Sequence, residues 1–269
     1  MNITNFDEQC SFLNQFILGL VDAYRSGKIT SWAELDEKVK AFFVQERMRQ
    51  IEALVPGWKK MASFVDGVTL THVMCVFLGL YRMPEFLSMN EDQKGIMRWV
   101  ILLHDVEKEP QAGKRDHPHA FRSAAAAAST LPGLGFAITP EYSSIIGGWS
   151  QFTRAAITKI ENSPDDMQDN HKLSEILRGI ERMFGRHTPA DLIVKTILLH
   201  LSISMKEWPP PNPLSPEEVK RYITPALLPL LRVMNLGDND GWTLFDPAVR
   251  ERQRLDIMEE FEKIEKIVA

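Results

Sequence analysis

The dipeptide His104-Asp105 closes the segment WVILLHDVEK and is the pair in this sequence best suited to chemistry. No charge occurs from Trp99 to His104, so the helix they form is expected to be buried on most faces, where an unpaired carboxylate is heavily penalised. A metal ion removes that penalty. Imidazole with carboxylate suits Mn, Fe, Ni, Zn or Mg in differing degree. Neighbours on a straight helix point about 100° apart, so both side chains converge on one ion only where the last turn loosens. The two cysteines, Cys10 and Cys75, each lie in an apolar helical pattern and encode neither a disulfide framework nor a paired-cysteine metal site.

The elements around this pair read as helices throughout, because cap residues and prolines fall where helix starts require them. A first amphipathic helix is expected from about Asp7 to Tyr24, stopped by Gly27, and a second from Ser31, paired with Glu34 as a capping box, to about Leu54. A helix over Thr69 to Tyr81 carries His72, and one from Asn90 to about Val106 carries the pair. The polar turn EKEPQAGKRDHPH leads to an alanine-rich helix that begins near His117 and ends before Pro132. Thr139-Pro140 and Thr188-Pro189 open two long helices, with a shorter one around Lys172 to Phe184 between them. SPDDMQDN is expected to be a solvated loop and WPPPNPLSPEE a linker, after which Ser215 caps a helix bent by Pro225 and Pro229. LGDNDGW lacks the spacing of a calcium loop and reads as a capped turn, beyond which Asp246-Pro247 starts a charged helix. The expected fold is all-α without a sheet, one domain made of an N-terminal helical pair (1–66), a core (68–207) and a helical extension (208–269).

This arrangement resembles the HD superfamily of metal-dependent phosphohydrolases, whose pattern is an isolated helical His, a later His-Asp pair and a still later Asp. The resemblance covers roughly Val68 to Met205 and implies an HD-domain-like helical bundle with extra N- and C-terminal helices. It makes His72, in VTLTHVMCVFLGL, the first ligand, 32 residues before His104, with His104 and Asp105 as the pair. It also matches Lys108, after the pair, to a phosphate-holding lysine, and His119, in HPHAFRSA, to a residue that contacts substrate or a second metal. No late Asp of the family's kind stands out, and His200, mid-helix in TPADLIVKTILLHLSISMKEW, is taken as the substitute ligand. Three imidazoles and one carboxylate favour a transition metal, Mn, Fe, Ni or Zn, over Mg.

The resemblance implies a phosphohydrolase acting on a small phosphate ester or nucleotide, with Lys108 or Arg115 offsetting negative charge. Two other classes stay open: a sensor or scaffold that binds metal or an anion without catalysis, supported by the missing Asp, and a di-iron oxygenase, which needs more ligands than these. The net charge of −5 argues against nucleic-acid polymers and anionic membranes as partners, while Lys108, Lys114, Arg115 and His119 make one wall locally cationic, as a small phosphate-bearing ligand requires. The cysteine usage and the absence of an export signal in MNITNFDEQC point to the cytoplasm.

Overall fold

The computed structural model describes residues 6–62, 68–109, 114–204 and 213–269. These form fifteen α-helices. The N-terminal group is α1 (Phe6–Gln9), α2 (Ser11–Arg25), α3 (Trp32–Phe42), α4 (Gln45–Leu54) and α5 (Trp58–Ala62). The middle comprises α6 (Val68–Leu80), α7 (Pro84–Leu87), α8 (Glu91–Leu103), α9 (His119–Thr130), α10 (Tyr142–Ala155), α11 (Leu173–Phe184) and α12 (Pro189–Leu199). The last three are α13 (Pro216–Tyr222), α14 (Leu228–Thr243) and α15 (Pro247–Val268). No helix among the described residues is long and apolar enough to cross a membrane.

The helix starts follow their capping chemistry. Asn90 and Gln93 form a reciprocal capping box at the head of α8, and the Thr188 hydroxyl accepts the Asp191 N–H at the head of α12. Several boundaries differ from the sequence expectation. Helical pairs α1/α2 and α3/α4 replace the two long N-terminal helices. The helix after Ser215 is broken rather than bent, since α13 ends at Tyr222 and α14 begins at Leu228. SPDDMQDN is not simply a solvated loop: Asp166–Gln168 pairs antiparallel with Ile157–Lys159 in a two-stranded hairpin, with Met167 and Gln168 buried. The expected proline-rich linker lies largely outside the described residues.

Two layers of helices bear on the His-Asp pair. α6 is buried from Thr69 to Leu80 and packs against α14, α3 and α8. α12 packs against α9 and α8, the contact with α9 being close because Ala124 to Ala128 present little more than methyl groups. The approach of α14 to α6 depends on Gly241, where a Cβ would lie 2.5 Å from Val76 Cγ2 and 2.6 Å from His72 Cε1. Any side chain here drives the helices apart. Gly241→Ala is therefore expected to destabilise the fold by about 1–3 kcal/mol, read as a lower urea midpoint with an unchanged slope. A midpoint equal to that of the unchanged protein would contradict this packing account.

Candidate metal centre

Six side chains from five helical segments converge at one place. α6 supplies His72 from its middle, while α8 ends at His104, the cap residue, with Asp105 in the turn that follows. That turn is tighter than a continuing helix, with Val106 N–H bonded to Leu103 O and Lys108 N–H to Asp105 O, so adjacent residues reach the same centre. α9 begins with His119, α12 is capped by His200, and α14 contributes Asp238.

The ligand atoms fall into two groups, His72 with His104 and Asp238, and Asp105 with His119 and His200, each within 4.8 Å of one another. Asp105 ties the groups together. Its Oδ2 lies 3.6 Å from His104 Nε2 and 3.7 Å from His72 Nε2, whereas its Oδ1 lies 2.9 Å from His119 Nε2. Asp238 Oδ1 accepts from His72 Nε2 at 2.9 Å and stands 3.8 Å from His104 Nε2.

Three of the imidazoles are held alike. His104 Nδ1 bonds the carbonyl of Ile101 and His200 Nδ1 that of Ile197, both at 2.7 Å, and His119 Nδ1 bonds the carbonyl of Asp116. Each bond fixes the proton on Nδ1 and leaves Nε2 bare and aimed inward, which is how a metal-ligating histidine is commonly oriented. The Nε2 atoms of His104, His119 and His200 and the Oδ1 of Asp105 are buried and have no hydrogen-bond partner. The close approach of His119 and Asp105 lacks hydrogen-bond alignment. Buried lone pairs without partners are costly, and metal coordination satisfies all four at once. These buried groups fit a metal ion.

Electrostatics keep the donors in their ligating forms. Burial pushes the His200 imidazole down to about 3, with His119 beside it adding to the shift. Burial likewise lowers His104, against the pull of Asp105 and Asp238. For Asp105, burial alone would raise the carboxyl, but Lys108 together with His104 and His119 outweighs it and holds it well below the usual carboxylate range. Asp238 behaves in the same way, its burial outweighed first by the hydrogen bond from His72. Lys108 Nζ sits 2.8 Å from Asp105 Oδ2 and stays charged, because Asp105 and Asp238 offset the effect of its burial. The helical fold with this His/Asp cluster is compatible with an HD domain.

No family model matches the chain, and neither the curated proteins nor the solved structures give a match.

The structure brings His72, His104, Asp105, Lys108, His119 and His200 together. It does not bring Arg115 to them: that residue is exposed and lines a separate cavity of about 110 Å³ with Lys114, Arg122 and Asp166. The expected cationic wall is partly neutralised there, since Lys114 pairs with Asp166 at 2.7 Å. Sequence reading missed Asp238, in the segment taken for a capped turn, and so gave its place to His200, which belongs to the second group. Gly, Asn and Asp are weak helix formers and disguised the end of α14. The available signal was phase, because Leu231, Met234, Asp238 and Gly241 recur at helical spacing.

The shared carboxylate predicts that metal content falls as a unit. His104→Ala and Asp105→Asn are each expected to leave less than about a tenth of the normal metal per chain by elemental analysis of purified protein, since removing a ligand costs at least the roughly 10–100-fold in affinity lost when only an outer-shell partner is removed. Normal content in either variant would remove the centre. Without metal, the buried imidazoles of His104 and His200 make stability depend on pH. His200 titrates near 6.5 when unfolded and near 3 when folded, so the unfolded chain takes up the proton first. Its contribution is fully present above about pH 6.5 and is lost as pH falls towards 3, by about 1.4 kcal/mol per unit. His200→Gln in chelated protein is expected to lower the slope of unfolding free energy against pH by that amount between pH 6 and 5. An unchanged slope would contradict the burial argument.

Proposed function

We propose that this chain is an HD-superfamily phosphohydrolase that acts on a small phosphate ester and binds two divalent transition-metal ions. His72, His104 and Asp238 with Asp105 Oδ2 would hold one ion, and His119 and His200 with Asp105 Oδ1 the other. Bound metal of this kind supplies a water of lowered pKa and polarises a phosphoryl oxygen. The observation that carries the hydrolase reading is the placement of Lys108: its ammonium is fixed 2.8 Å from the shared carboxylate, next to Asp238, whose side chain is 25 % exposed. There it orients a phosphoryl oxygen and offsets charge developing on it, while the buried imidazoles exclude bulk water from the inner side.

A second reading, the di-iron oxygenase, is favoured by the donor set, since four imidazoles and two carboxylates suit iron as readily as zinc or manganese. Asp238 would supply the carboxylate whose absence from the sequence pattern supported a non-catalytic sensor, so that reading is not preferred.

The deciding experiment loads the protein separately with Mn, Fe, Ni, Zn and Mg and measures phosphate release from a panel of phosphate monoesters. Release with at least one transition metal supports the hydrolase, and two irons with dioxygen uptake but no phosphate release would replace it by the oxygenase. Lys108→Met keeps the apolar stem and deletes the charge. It is expected to retain metal and to lower phosphoester turnover by a factor on the order of 10² or more. Undiminished turnover would sink the role given to Lys108.

A further inference from the structure

Five of the six donors are closed off, and Asp238 is the one with an open edge. One helical turn further along α14, Trp242 stands 47 % exposed. Its indole is nevertheless held in place: it stacks on the His72 ring at 4.0 Å between centroids and 16° between planes. It also runs parallel to the indole of Trp32, with centroids 6.0 Å apart and planes 8° apart. Lys108 Nζ lies 5.4 Å from the centre of the Trp242 ring. Trp32 arrives from the other end of the sequence, on α3, which is fastened beside the centre by the Thr71 hydroxyl donating to Asp36 at 2.6 Å. Two distant helices thus set parallel indoles beside the site, Trp242 directly on His72 and within 5.4 Å of the Lys108 ammonium, with Trp32 next to it.

We propose that Trp242 and Trp32 form a subsite for a planar aromatic group whose attached anion is held at Lys108 and the metal centre. This rests on the hydrolase reading and narrows it, from small phosphate esters in general to aryl or heteroaryl phosphates. An aliphatic group placed here gains only its buried area, whereas an aromatic one also gains oriented ring–ring attraction. A cationic group, which such rings otherwise attract, meets the repulsion of Lys108.

The test uses the full zinc-loaded chain, titrated with phenylphosphonate and with methylphosphonate, whose P–C bonds are not hydrolysed, and reads indole fluorescence and binding heat. Phenylphosphonate is expected to bind about tenfold more tightly. In Trp242→Ala, and separately in Trp32→Ala, the preference is expected to shrink to about twofold or less, a loss on the scale of one aromatic contact. Zinc per chain is measured in each variant. Trp32 is the safer probe because its ring stacks on Trp242 rather than on a metal donor. Equal affinities in the unchanged protein, failure of both phosphonates to bind, or a preference that survives both substitutions overturns the proposal. Failure of the hydrolase reading looks different: the indole-dependent preference is present, yet phenyl phosphate releases no phosphate with any of the metals.

Discussion

Everything around the centre is arranged to keep one carboxylate charged where there is no water. Asp105 is fully buried, and an isolated carboxylate in such surroundings would take up a proton or open the structure. It is held ionised chiefly by Lys108, whose ammonium sits 2.8 Å from one of its oxygens. Its two oxygens face different groups of donors, so a single side chain sets the distance between them. The short turn after α8 exists to present this residue. So does the tether of Lys108, three residues further on, which can reach back to Asp105 only because the chain stays coiled there.

Helix ends do most of the positioning. α8 and α12 both terminate on a histidine whose Nδ1 returns to the carbonyl three residues earlier. A terminal carbonyl has no partner further along the helix, so the imidazole satisfies it and is locked by the same bond. His119 uses the carbonyl of Asp116 in the same way, and the Asp116 carboxylate is itself gripped by Arg122 at 2.6 Å. Three imidazoles are therefore oriented by bonds to the backbone alone, with Trp242 bracing His72 from outside.

Much of this could be read from the residues. Capping at Ser31, Asn90, Thr188, Ser215 and Asp246 is local chemistry, and it marked true helix starts. His104-Asp105 was conspicuous because a charge closing an apolar run has a cost that needs a reason. Asp238 was hidden because its neighbours Gly237, Asn239 and Gly241 speak against a helix, while the factor that decides it, close approach of α14 to α6, comes from distant chain. The hairpin escaped for the same cause: Asp166 is drawn into it by Lys114 and Lys159, pairings invisible to any periodicity. Trp32 and Trp242 are 210 positions apart and carry no shared pattern at all.

The order in which the donors occur along the chain has a consequence for biosynthesis. His72, His104, Asp105, His119 and His200 all precede Asp238, and α14 must also seat itself on α6 before His72 is braced. A ribosome therefore exposes five of the six donors while the sixth is still being made. If the centre holds metal as proposed, its two groups become available at different times: the second, Asp105 with His119 and His200, is complete once His200 is made, whereas the first would have to wait for Asp238 and the seating of α14.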